Sequence, residues 1–157
     1  MEPTLAGFTA WVRSAMGITT SVLPDNSVWL TYAFGDAIDI VNKAILQASP
    51  LQYTLAVYNL GGSNLINFAQ DLPGAPTIPG STPPQAFFAA ARTQWNIYGF
   101  VAGVVNATSD EGTSMSLTVP ESMAKFSLSD LQQLKDPYGR TYLAIAQKYG
   151  PSAWGLS

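Results

Sequence analysis

The chain has 157 residues, of which 7 are Lys or Arg, 10 are Asp or Glu and none is His or Cys, giving a formal net charge of −3. That length fits one domain, and the missing His and Cys exclude the usual catalytic triad, a thiol nucleophile, disulfides and the common structural zinc sites. Charged residues are 11% of the chain and apolar or aromatic residues 47%, so a compact monomer carries about one charge per 450 Å² of surface where an ordinary composition gives roughly one per 200 Å², and exposed apolar patches that mark interfaces are expected.

Pro3 and Thr4 open a predicted helix that places Leu5, Phe8, Val12, Ala15 and Met16 on one face and stops at Gly17. A β-branched linker at 18–22 leads to the cap cluster Pro24, Asp25, Asn26 and Ser27. A longer helical period then runs through Leu30, Phe34, Ile38, Val41 and Ile45, with Asp39 and Lys43 spaced i, i+4 for a weak ion pair. Ser49 as N-cap and Pro50 at the first helical position start a third helix through Leu51, Leu55 and Tyr58. Gly61 and Gly62 are expected to break or kink it before 65–69 continue for another turn or two.

The segment 71–84, DLPGAPTIPGSTPP, cannot be helix or central strand because its prolines remove backbone donors, and it reads as an arm or extended loop. Residues 85–94 are alanine-rich and helical in pattern, with Phe87, Phe88 and Ala91 apolar and Arg92 and Gln94 polar. Between 97 and 108 helix and strand compete. Gly99, Gly103 and the paired valines favour strand, and the alternation of Met115, Leu117 and Val119 supports a hairpin over about 98–120 whose tip is SDEG, 109–112. The stretch SLSD, 127–130, caps a helical segment with Leu131 and Leu134, and DPYGR, 136–140, reads as a turn or kink. Tyr142, Leu143, Ile145 and Ala146 then resume helical spacing until Gly150 and Pro151. The tail at 151–157 carries Trp154 and Leu156, which suggests that it docks on something. The fold class expected is mainly α: one domain, 1–157, formed by a helical bundle with a projecting β-hairpin, a Pro-rich arm at 71–84 and an extended C-terminal tail.

Functional chemistry is sparse. The seven basic residues are scattered, so no phosphate-binding patch is visible. The opening MEPTLAGF lacks the features of a signal peptide, and the most apolar stretch, 87–105, is interrupted by Arg92, Gln94 and Asn96, so a protein without a membrane span, made in the cytoplasm, is expected. Asp110 and Glu111 are adjacent acids on a Ser/Gly turn, and Asp36 and Asp39 are i, i+3 on a helix. Both pairs read as solvated rather than as acid/base machinery. The sequon at Asn106 is the match that chance alone supplies in a chain this rich in Ser and Thr. Trp11, Trp29, Trp95 and Trp154 suit either a core or an interface. No catalytic, cofactor or metal residues are expected.

Several phrases nonetheless carry a likeness. FFAAARTQWNIYGFVAGVV (87–105), SDEGTSMSLTVPESM (109–123) and LSDLQQLKDPYGRTYLAIAQKYG (128–150), with LAVYNLGGSNLINFA (55–69) upstream, resemble the head-to-tail adaptor (connector or neck) proteins of short-tailed bacteriophages. The resemblance implies a mostly helical, non-enzymatic structural protein of the virion. It further implies a place at the head-tail junction in a homo-oligomeric ring, usually a dodecamer matching the portal, with the portal protein and tail or nozzle proteins as partners and DNA passing through the lumen. A sparsely charged, aromatic-rich surface and an acidic balance suit a ring subunit lining a path on which DNA must not stick. Asp110, Glu111 and Gly112 at the hairpin tip and Pro151, Trp154 and Leu156 in the tail are the expected interface residues. The alternatives are another neck or tail component, a virion-associated hydrolase using Asp110 or Glu111, and a cytosolic binding module.

Overall fold

The computed structural model describes residues 2–80, 84–100, 104–108, 115–118 and 128–149, and within them the chain is mainly α-helical. Helix α1 (Leu5–Ala15) begins where Thr4 Oγ1 accepts the Gly7 N–H at 3.1 Å, and it buries Phe8 and Val12 completely. Helix α2 (Val28–Ile40) is capped by Ser27, whose Oγ accepts the Trp29 N–H. The single period expected from Leu30 to Ile45 is split: Val41 is extended, and Ile45 belongs to a short helix α3 (Ala44–Ala48). Asn42 explains the break, because its Oδ1 accepts the Ala44 N–H at 2.8 Å in a local turn that competes with helix continuation. Lys43 therefore lies outside α2, and the helical spacing to Asp39 no longer applies.

Helix α4 (Pro50–Phe68) starts as expected, with Ser49 Oγ accepting the Gln52 N–H and Pro50 in the first turn. Gly61 and Gly62 neither break nor visibly end it; both lie inside one 19-residue helix. A Cβ on Gly61 would stand 2.9 Å from the Phe8 ring and one on Gly62 3.0 Å from the Trp11 ring, so the glycines admit α1 against α4, and that packing offsets their poor helix propensity. The buried stripe is also displaced from the expected one. Leu51 is 65% exposed, while Tyr53, Ala56, Val57 and Leu60 face inward.

Helix α4 touches α1, α2, α3, α5 and α7 and runs between two apolar clusters. One gathers Phe8, Val12, Ile18, Leu30, Ile66 and Phe88; the other gathers Val41, Ile45, Val57, Leu60 and Leu143. Of the tryptophans, Trp11, Trp29 and Trp95 are half-buried against the first cluster. The described part of the Pro-rich segment is a loop that turns back on itself, with the Ile78 N–H donating to the Gln85 carbonyl at 2.8 Å and Thr77 bridging Ala86. At its start, Asp71 accepts the Phe88 and Ala89 N–H groups at 2.9 and 3.0 Å and so caps α5 (Phe87–Gln94), which has no capping side chain of its own. Arg92 is not on a polar face: it is buried, its Nε donating to the Ile66 carbonyl at 2.7 Å and its Nη2 to the Ala69 carbonyl. These are carbonyls that the end of α4 leaves without an intrahelical partner, and burying a guanidinium is tolerable because they satisfy it.

Strands β1 (Val104–Thr108) and β2 (Met115–Thr118) pair antiparallel with a bulge at Asn106. Residues 109–114 between them, including Asp110, Glu111 and Gly112, lie outside the described residues, as do Pro151, Trp154 and Leu156. Helix α6 (Leu128–Gln133) and helix α7 (Pro137–Tyr149) complete the described chain. The DPYGR motif is the start of α7, where Asp136 Oδ1 accepts the Tyr138 and Gly139 N–H groups at 3.0 and 2.9 Å ahead of Pro137 in the first turn.

Candidate interaction face and polar groove

Val28, Tyr32, Asp36 and Ile40 recur every fourth residue along the outer side of α2, and the three apolar members are 59%, 67% and 47% exposed. Phe68, at the end of α4, is also more than half exposed. Single exposed apolar residues are normal on any protein surface; an aligned set beside an exposed aromatic ring is not. Between the two helices lies a depression of about 280 Å³ walled by Trp29, Tyr32, Asp36, Asn64, Leu65 and Phe68. It can seat an apolar side chain, with Tyr32 and Trp29 supplying both ring surface and a polar tip.

Past Asp36, Asn64 and Phe68 the depression continues into a second hollow of about 370 Å³, to which Ile40 contributes a wall and Ser63, Asn67 and Gln133 polar lining. Asn64 Nδ2 donates to Asp36 Oδ2 at 2.7 Å, tying α2 to α4 across the rim. Behind the lining sits Asp136, wholly buried. Its Oδ2 accepts from Ser63 Oγ at 2.6 Å and from Asn67 Nδ2 at 2.9 Å, while its Oδ1 takes the two amides that start α7. One carboxylate therefore holds α4 and α7 in register. Gly139 makes this possible, since a Cβ there would lie 2.1 Å from the Gln133 carbonyl oxygen at the end of α6. Beside Asp136, Tyr138 packs edge-on against Trp11 and Trp95, and its hydroxyl pKa is raised above the ordinary tyrosine value, first by burial and second by the Asp136 charge.

The network is not closed. Asn67 Oδ1 and Gln133 Oε1 are buried without a hydrogen-bond donor, and each such orphan costs about 1–3 kcal/mol. Gln133 is itself 7% exposed. The groove thus joins apolar walls and an acidic rim, with the two donorless acceptors buried beneath its lining.

Asp36 and Asp39 are both exposed on α2, and Asp36 alone of the two lines the groove. Among the described residues there is no group of three or more acids able to hold a metal ion, and no helix is long and apolar enough to cross a membrane. The six residues expected at interfaces are all outside the described residues. The features that sequence reasoning passed over are the α2 stripe and Asp136. Period-four spacing at 28, 32, 36 and 40 was available as a signal for the first, and Asp followed by Pro, a helix-start pair, for the second. No family model, curated protein or solved structure matches this chain.

Proposed function

We propose that this chain is a structural subunit of a bacteriophage virion, a head-to-tail adaptor that forms a homo-oligomeric ring between portal and tail and lets DNA pass through its lumen. The observation that carries the reading is the exposed apolar stripe of α2 with Phe68, on a chain in which charged residues are 11% of the total. A subunit with this surface gains by covering it with neighbours, and a ring covers every copy equally. The phrases at 87–105, 109–123 and 128–150 supply the particular assembly. In this reading the hairpin stands off the helical body, and the tail, through Pro151, Trp154 and Leu156, grips portal or the adjacent subunit. The protein works by fit and not by catalysis.

Sedimentation of the full-length chain with purified portal rings tests the role. Co-sedimentation in a fixed ratio is expected, and truncation of 151–157 should abolish it while the far-ultraviolet circular dichroism stays unchanged. Failure of the full-length chain to bind portal overturns the adaptor reading; binding retained by the truncated chain removes the tail from the contact.

A further inference from the structure

We propose that successive copies of this chain join through unlike faces, the outer side of α2 on one copy against the outer side of α7 on the next. The inference rests on the ring reading above and names the two surfaces that build the ring. Both helices have 13 residues, about 20 Å each, and both pack on α4. Helix α2 turns Leu30, Ala33 and Ala37 inward, and α7 turns Tyr142, Leu143 and Ile145 inward. What each leaves outside differs in charge. The acidic or basic residues of α2 are Asp36 and Asp39, and those of α7 are Arg140 and Lys148; all four are exposed. Among the described residues Arg13 and Asp25 form the one ion pair, so these four charges have no ionic partner there.

That segregation decides between the ways two copies can meet. A twofold dimer through α2 sets Asp36 and Asp39 against the same acids, and one through α7 sets Arg140 and Lys148 against the same bases. Like charges held together across a contact are unfavourable, and α2 against α7 brings opposite charges together instead. The relief fits too. Thr141 and Ala144, small exposed residues between Arg140 and Lys148, form a low strip on α7, and the projecting Tyr32 ring of α2 can lie on it. The alkyl stems of Arg140 and Lys148 can cover that ring while their charged heads reach the acids. On α4, Gly61 and Asn64 meet α2 while Ser63 and Asn67 meet Asp136 at the start of α7, and these two sets of positions lie roughly 110° apart around the α4 axis. The outer faces therefore diverge, and one neighbour does not cover both. Each bound copy presents a fresh face to the next, which builds a ring or a filament. One chain carries both halves of the contact.

The test is sedimentation velocity of the full-length chain at low ionic strength, with three variants: Asp36→Lys with Asp39→Lys, Arg140→Glu with Lys148→Glu, and all four together. The parent should associate past dimer as concentration rises. Each two-site variant, in which like charges now meet, should bind itself at least about tenfold more weakly. Mixing the two two-site variants should restore association, and so should the four-site variant alone, since unlike charges again face each other. Added salt should weaken every attractive combination. Asp36→Lys also loses the Asn64 contact; if circular dichroism shows that variant unfolded, Asp39→Lys alone takes its place. A parent that stays monomeric or stops at dimer, a two-site variant that associates as tightly as the parent, or no recovery on mixing overturns the proposal. Portal co-sedimentation of the same samples separates this contact from the adaptor reading. Chains that associate through α2 and α7 without binding portal uphold the contact and remove the adaptor. Chains that bind portal and still associate after charge reversal uphold the adaptor and overturn the contact.

Discussion

A carboxylate with no solvent-exposed surface persists in a fold where donors meet its lone pairs, and Asp136 meets four: Ser63, Asn67 and the first two amides of α7 after Pro137. Three separate structural tasks converge on this one side chain, namely capping α7, fixing the Ser63–Asn67 face of α4, and supporting the polar groove. Asp136→Ala strands all four donors, so it should lower stability by about 3 kcal/mol or more, measured as the shift in urea midpoint at unchanged slope. Asp136→Asn should fall between, because its carbonyl can still cap α7 while its NH₂ group faces donors from Ser63 and Asn67. A loss under about 1 kcal/mol for the alanine variant would show that the network is dispensable. The chain itself gives little warning of this. Asp-Pro is as much a turn as a helix start, and the partners Ser63 and Asn67 lie 73 and 69 residues away.

At the scale of elements, two glycines inside helices should respond to the same substitution with opposite sign. Gly35 in α2 has nothing within 4 Å of an added Cβ, so Gly35→Ala should raise stability by about 0.5–1 kcal/mol through helix propensity. Gly61 in α4 faces the buried Phe8 ring at 2.9 Å and the Ala33 carbonyl oxygen at 3.3 Å, and Gly61→Ala should lower stability by about 1–3 kcal/mol despite the same gain in propensity. Thermal unfolding of the two variants checks both signs, and a gain at Gly61 would mean that α1 can slide away from α4 at no cost. The contrast marks what the chain makes legible. Cap residues such as Thr4, Ser27 and Ser49 act on amides two or three positions away, so the helix starts at Leu5, Val28 and Pro50 are written locally. The continuity of α4 through Gly61 and Gly62, the capping of α5 by Asp71 and the burial of Arg92 depend on neighbours distant in sequence, and no window of the chain contains both partners. The break after Ile40 is intermediate: Asn42 signals it, but the apolar period running on to Ile45 masks the signal.

For the molecule as a whole, the question is which apolar surface belongs to the core and which to assembly, and composition gives only the sum. The helical period finds Leu30 on α2 and Val41 just past its end, both buried, whereas Val28, Tyr32 and Ile40 lie on α2 and stay outside. A periodicity argument seeks one face and discards the other, which is why the candidate face was harder to read than the fold. Exposure separates the two roles experimentally. Tyr32 is 67% and Phe68 52% exposed, so the double variant Tyr32→Ser, Phe68→Ser removes little that the isolated subunit uses, and its stability should stay within about 1 kcal/mol of the parent. On the ring reading proposed above, incorporation into particles or portal-bound rings should instead fall at least about tenfold, since truncating two aromatic anchors at a contact desolvated by a neighbour would remove hot-spot energy. Matching Leu30→Ser in the core should do the reverse, unfolding the subunit before assembly can be scored. Equal stability loss from the surface pair and from Leu30→Ser would place Tyr32 and Phe68 in the core's account, and full incorporation of the stable surface variant would free α2 from any role in assembly.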